Sequence, residues 1–172
     1  MQAFVVYTAL LGVLLTIIVA DDNINISNQG NVGSDVHQTV NINNHDNVAN
    51  INNYNGWDSW NTVCDYNKGL FAARLFSKTS CVVTRMNPAV VPSLAQLSKM
   101  AGEKKSFSES TSPLKARYTV TQLQVKNVAQ YGEHINALCR GIPTFYAQEI
   151  KNPKCGGCRA NIVTILGISL CF

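Results

Sequence analysis

Residues 60–86 read WNTVCDYNKGLFAARLFSKTSCVVTRM, three apolar, β-branched or aromatic runs (Trp60 to Tyr66, Leu70 to Phe76 and Cys81 to Met86) with turn residues between them. Asn67-Lys68-Gly69 fills the first gap and Ser77-Lys78-Thr79-Ser80 the second, residues that reach positive φ or bond their own backbone. Gaps this short join strands that lie side by side, so the stretch predicts a meander of antiparallel strands.

Beyond it, Val91 to Met100 carries Leu94 and Leu97 at helical spacing behind Pro92 and Ser93, which predicts a short helix ending near Gly102. Glu103 to Pro113 is polar, Ser-rich and aperiodic, which predicts an exposed loop with Lys104-Lys105 as a candidate site of nicking. Leu114 to Thr121 reads as a strand through Tyr118 and Val120. Asn127 can cap a helix with Val128, Tyr131, Ile135 and Leu138 on one face, Cys139 at its end, and a stop at Gly141 and Pro143. Thr144 to Ala147 can be a last strand of this core. Between Cys158 and Cys171, Ile162 to Leu170 is apolar or β-branched with neither charge nor proline, an aggregation hazard if its edge stays free.

On the other side, Asp21 to Asn55 is rich in Asn with apolar residues set between. Such a tract suits disorder. It equally suits a hairpin, because Val36, Gln38, Val40 and Ile42 alternate with period two and Asn44-His45-Asp46-Asn47 supplies a turn. Ahead of it, Ala3 to Ala20 is an uncharged apolar run that gives way to Asp21-Asp22, the outline of a secretory signal peptide removed after Ala20. No basic residue precedes that run, and it is at the short end of what a membrane span requires. Asn25-Ile26-Ser27 is a glycosylation sequon at Asn25 on an arm expected to be exposed.

The six cysteines, Cys64, Cys81, Cys139, Cys155, Cys158 and Cys171, all lie past the apolar leader, and an even count in an exported chain predicts disulfides. Sequence alone leaves their pairing open. Cys155-Gly-Gly-Cys158 lacks the second pair or the His-x-x-x-His partner a zinc site needs, and its glycines favour a turn over a redox motif. No metal and no cofactor is therefore expected. The net charge of +4 is scattered rather than gathered with aromatics, which argues against nucleic acid. His37, His45 and His134 are the only histidines, too few and too dispersed for a His-based triad, and no paired carboxylates or phosphate loop stands out. The expectation is a secreted, extracellular protein that is not an enzyme and does not sit in a membrane once the leader is gone.

The succession of an apolar leader, Asn47-Val48-Ala49-Asn50, then Asn55-Gly56-Trp57-Asp58-Ser59-Trp60-Asn61, Asp65-Tyr66 and Cys139-Arg140-Gly141-Ile142-Pro143-Thr144 resembles the gastrokines, most of all the third gastrokine paralogue. The resemblance covers nearly the whole chain. It implies an α+β fold in which a BRICHOS domain, a central antiparallel sheet between two helices, is flanked by an Asn-rich hairpin arm and a disulfide-closed hairpin at the C-terminus. The divisions are 1–20 signal peptide, 21–52 arm, 53–152 BRICHOS domain and 153–172 β-prone tail.

The family's signature of one Asp and two Cys maps onto Asp65, Cys81 and Cys139, which implies a Cys81–Cys139 bridge worth about 4 kcal/mol in the chain-entropy estimate. The same resemblance implies a Cys158–Cys171 bridge worth about 3 kcal/mol. Cys64 and Cys155 are then left either to pair or to leave a thiol for an intermolecular bridge. Asp65 is expected to be a structural carboxylate that accepts backbone hydrogen bonds. The alternative is a carboxyl whose pKa is raised by burial, in which case stability is full at acid pH and declines as pH rises through that value.

As for role, the resemblance implies a gastric mucosal protein that binds β-prone peptide or protein clients in a chaperone-like way. The other reading is a regulator of epithelial growth and mucosal homeostasis acting through a receptor, with a disulfide-linked trefoil-family peptide, a mucin-layer component or a second copy of the chain as partner.

Overall fold

The computed structural model describes residues 22–28, 36–103, 116–151 and 161–172. The apolar leader, most of the Ser-rich loop with Lys104-Lys105, and Cys155 and Cys158 lie outside the described residues.

The strands are β1 (Asp22–Asn28), β2 (Val36–Asn43), β3 (Val48–Tyr54), β4 (Trp60–Asp65), β5 (Leu70–Leu75), β6 (Ser80–Arg85), β7 (Ala116–Gln124), β8 (Thr144–Glu149), β9 (Ile162–Ile165) and β10 (Ile168–Cys171). They form one sheet in the order β1-β2-β3-β4-β5-β6-β8-β7-β10-β9. The meander runs antiparallel from β1 to β6. Two parallel ladders, β6 with β8 and β7 with β10, then stitch the C-terminal strands on.

Helix α1 (Leu94–Gly102) opens as its sequence dictates: the Ser93 hydroxyl accepts from the Gln96 amide, and the Gln96 side chain accepts from the Ser93 amide. The helix expected over 127–139 is instead two pieces. Asn127 caps a 3-10 turn, Val128–Tyr131, by accepting from the Ala129 amide, and α2 (Glu133–Cys139) follows as a separate helix. The break falls at Gly132, whose φ of 106° no helix contains.

The period-two alternation of a strand sends its side chains to two cores. Trp60 and Cys64 of β4, Phe71, Ala73 and Leu75 of β5 and Val82 of β6 share one cluster with Leu97 and Ala101 of α1. Val63, Ala72, Cys81 and Val83 join Ile135 and Cys139 of α2 on the opposite face. The central sheet thus lies between two helices. The first cluster also contains Val40 and Ile42 of β2 together with Ile168 and Leu170 of β10. Those two strands would stand about 34 Å apart in a flat sheet at the usual strand spacing, so the sheet curls around this core. The Asn-rich arm is consequently no appendage: Val40, Ile42, Ala49 and Ile51 are buried, and β3 is hydrogen-bonded to β4 in register from Val48↔Asp65 to Asn53↔Trp60.

Candidate functional site

Three features could carry function: the bridge and the buried acidic residue on the same face of the sheet, the thiol inside the core, and the strands at the sheet's C-terminal edge.

Cys81 sits on β6 facing α2, and Cys139 closes α2. The alternation of β6 and the length of the helix bring their Cα atoms to 5.5 Å, and the two sulfurs are bonded across a separation of 58 residues. Asp65 ends β4 on the same face, opposite Val48 and Leu70, and is 2% exposed. Its Oδ1 accepts the Lys68 amide at 2.9 Å, which closes the β4–β5 turn, and its Oδ2 accepts from Lys68 Nζ at 3.2 Å. A Cβ placed on Gly132 would collide with that Nζ. The ammonium therefore reaches Asp65 across the bare backbone of Gly132, and one residue both breaks the helix and leaves room for the ion pair. Lys68 and Gly132 escaped sequence reasoning; the available signal was a helix breaker inside an otherwise helical pattern.

Cys64 belongs to the α1 face and is wholly buried as a free thiol. This corrects the expected pairing of Cys64 with Cys155: the strand alternation points Cys64 into the curled core, and an even cysteine count carries no information about which face a cysteine takes. Burial pushes the thiol up to about 12, so the unreactive protonated form holds at any physiological pH. Tyr66 next to it donates its hydroxyl to the Pro92 carbonyl, and burial first, then the neighbouring thiol, raises its phenol well above the ordinary range. Cys171 is disulfide-bonded, with its partner outside the described residues.

The Asn44–Asn47 turn meets α2. Asp46 Oδ1 lies 2.9 Å from His45 Nδ1, and its Oδ2 lies 3.4 Å from His134 Nε2. The His45 contact is the main reason the Asp46 carboxyl is held below its ordinary value. His37 instead stacks on Tyr54, its ladder partner. Among the described residues no group of His, Cys, Asp and Glu is arranged to hold a metal ion, and no helix is long and apolar enough to cross a membrane. Asn25 stands on β1 opposite Thr39.

At the sheet's far edge, Ile162–Ile165 and Ile168–Cys171 make a two-residue hairpin through Leu166 and Gly167, both at positive φ. Its β10 lies parallel to β7 from Ile168↔Ala116 to Cys171↔Thr119, and Ile165, Ile168 and Leu170 point into the α1 core. The sheet holds the chain's own charge-free segment by backbone pairing, and β9 is its last strand among the described residues.

A curled sheet between two helices, locked by one strand-to-helix disulfide and with a buried Asp on the same face, defines a BRICHOS domain protein, and residues 56–146 match the BRICHOS domain family. The chain is 40% identical to gastrokine-1 of Sus scrofa across 99% of its length and 97% of that protein. It is 45% identical to gastrokine-1 of Mus musculus, over 87% of the chain and 84% of the relative. Identity to gastrokine-3 of Mus musculus is 36%, over 63% and 60%. The chain belongs to the gastrokine family of BRICHOS proteins. No solved structure matches it.

Proposed function

We propose that this gastric BRICHOS protein is a secreted, non-enzymatic, chaperone-like binder that caps β-prone segments by strand addition. The observation that carries the reading is the tail hairpin. An uncharged, β-branched segment of the kind that forms cross-β fibrils is held here by ladder hydrogen bonds to β7 and by apolar side chains sunk into the curled core. Among the described residues the segment leaves β9 (Ile162-Val163-Thr164-Ile165) at the edge, with neither charge nor proline in it to block pairing. A client strand of similar composition would add there, or would replace the hairpin on β7.

The test is thioflavin-monitored fibril growth of an unrelated amyloid peptide, with the oxidised protein at substoichiometric amounts. Suppression is expected for the wild type and its loss for Ile162→Lys, which puts a charge on the half-exposed edge. Unhindered fibril growth with the wild type would overturn the reading.

A second reading, a regulator of gastric epithelial growth acting through a receptor or a disulfide-linked partner, draws support from a different surface. Tyr54, Trp57 and Phe76 stand exposed at one end of the sheet, Trp57 to 79%, with Arg74 over the Phe76 ring. Exposed aromatics beside cations are common anchors of protein interfaces. Saturable binding to gastric epithelial cells that weakens in Trp57→Ala would support it, and equal binding by both would sink it. A mixed disulfide with a trefoil-family peptide would not use Cys64, which the native fold encloses.

A further inference from the structure

At the other end of the sheet, the β4–β5 turn, the end of β6 and the approach to α1 form a cleft of about 430 Å³. Its construction is local. The Met86 amide donates to the Gly69 carbonyl and ties the end of β6 to the turn. The Tyr66 hydroxyl, bonded to the Pro92 carbonyl, fastens the turn to the segment that enters α1. A Cβ on Gly69 would meet nothing within 4 Å, so the space above the turn is open.

The walls divide by chemistry. Met86, Pro88, Val91 and the Tyr66 ring are apolar, whereas the charged lining residues are Lys68 and Arg85, with no carboxylate among them. Lys68 is committed to Asp65. Arg85 is exposed and makes no ion pair with any described residue, although a guanidinium offers a planar fork of donors suited to a carboxylate. The first turn of α1 is partly occupied, because the Ser93–Gln96 capping box already satisfies the Ser93 and Gln96 amides.

We propose that this cleft binds a small amphiphilic anion, its carboxylate on Arg85 and its apolar body against Met86, Pro88 and Val91. The volume suits an organic molecule of modest size, within the usual range of ligand pockets. A neutral or cationic amphiphile would leave the guanidinium unpaired or repelled. This site lies apart from the β9 edge and does not depend on the strand-addition reading.

The experiment titrates the oxidised, folded chain with decanoate at neutral pH, below its micellar range, and follows backbone amide resonances. Decan-1-ol and decyltrimethylammonium are the controls. Decanoate is expected to shift the amides of Gly69, Met86, Val91 and Gln96 saturably, decanol to bind about tenfold more weakly or worse, and the cation not to bind there. Arg85→Gln should weaken decanoate by about tenfold with an unchanged melting curve, and Arg85→Lys should keep part of the affinity. Equal binding of decanoate and decanol, shifts confined to other surfaces, no saturable shift at millimolar concentration, or an Arg85→Gln protein as tight as wild type would each overturn the proposal.

Discussion

Gly132 adopts φ 106° and ψ 170°, a conformation that side-chain-bearing residues reach only under strain, and Lys68 Nζ occupies the space where a Cβ would stand. Gly132→Ala should therefore destabilise the fold by about 1 to 3 kcal/mol from the backbone alone, and more if Lys68 is expelled from Asp65. Urea unfolding of the oxidised protein would show it; a midpoint equal to wild type would refute the account. Lys68→Met would keep the backbone intact and isolate the loss of the ion pair. Cys64 poses a residue-scale question of another kind. Its folded thiol stays protonated up to about 12, whereas an unfolded thiol ionises near 8.5. Between those values the unfolded chain binds fewer protons, so stability falls as pH rises beyond about 9, and the buried Tyr66 and Tyr118 phenols act in the same direction. Cys64→Ala should flatten the first part of that alkaline decline. In the native wild type, a thiol reagent such as iodoacetamide should label Cys64 only as fast as the protein unfolds.

Among elements, the β2–β3 hairpin is fastened to α2 through Asp46, which touches His45 on one oxygen and His134 on the other. Because the folded carboxyl is held below its ordinary value, its contribution is present above about pH 4 and is lost as pH falls through the lowered folded value. Asp46→Asn should make the acid limb of the stability curve shallower, and superimposable limbs would show that the contact contributes nothing. The elements also differ in how far the chain announces them. Strands β4, β5 and β6 are legible because each turn carries its own chemistry, and the hairpin of β2 and β3 is legible from the alternation of Val36 to Ile42. Strand β1 alternates in the same way, Asn23-Ile24-Asn25-Ile26, yet with so little apolar material that only its seven-residue register on β2 makes it a strand. The break at Gly132 was written in the sequence but outweighed by the helical spacing of Val128, Tyr131 and Ile135. The parallel ladders of β6 with β8 and β7 with β10 have no local signal, since their registers are set by packing on cores shared by distant segments. For the same reason Lys68 could not be matched to Gly132, nor Cys64 assigned to the sealed face.

At the scale of the whole molecule, two cores back to back on one sheet are secured differently. The α2 side carries the Cys81–Cys139 bond, whose loop is worth about 4 kcal/mol against a total stability of about 5 to 15 kcal/mol for an ordinary domain. Mild reduction should thus move the denaturant midpoint by a large part of its value. The α1 side is sealed at one end by β2 and at the other by the tail hairpin, so the hairpin completes a core and at the same time shelters its own β-prone sequence. Ile168 tests that double duty, because it is fully buried, pairs with Ala116 and Ile165, and carries no hydrogen-bonding side chain. Ile168→Lys would force an ammonium into an apolar cluster at a cost of more than about 3 kcal/mol, which the hairpin avoids by leaving β7. Loss of the hairpin would expose the β7 edge and the inner face of the curl together. The expected result is a protein that keeps the Cys81–Cys139 bond and the β4–β6 meander, binds a hydrophobic dye and self-associates at concentrations where the wild type and the edge variant Ile162→Lys do not. If Ile168→Lys instead elutes and melts like wild type, the hairpin is not integral to the core, and the capture of the tail by β7 would lose its standing as a guide to how this sheet treats other chains.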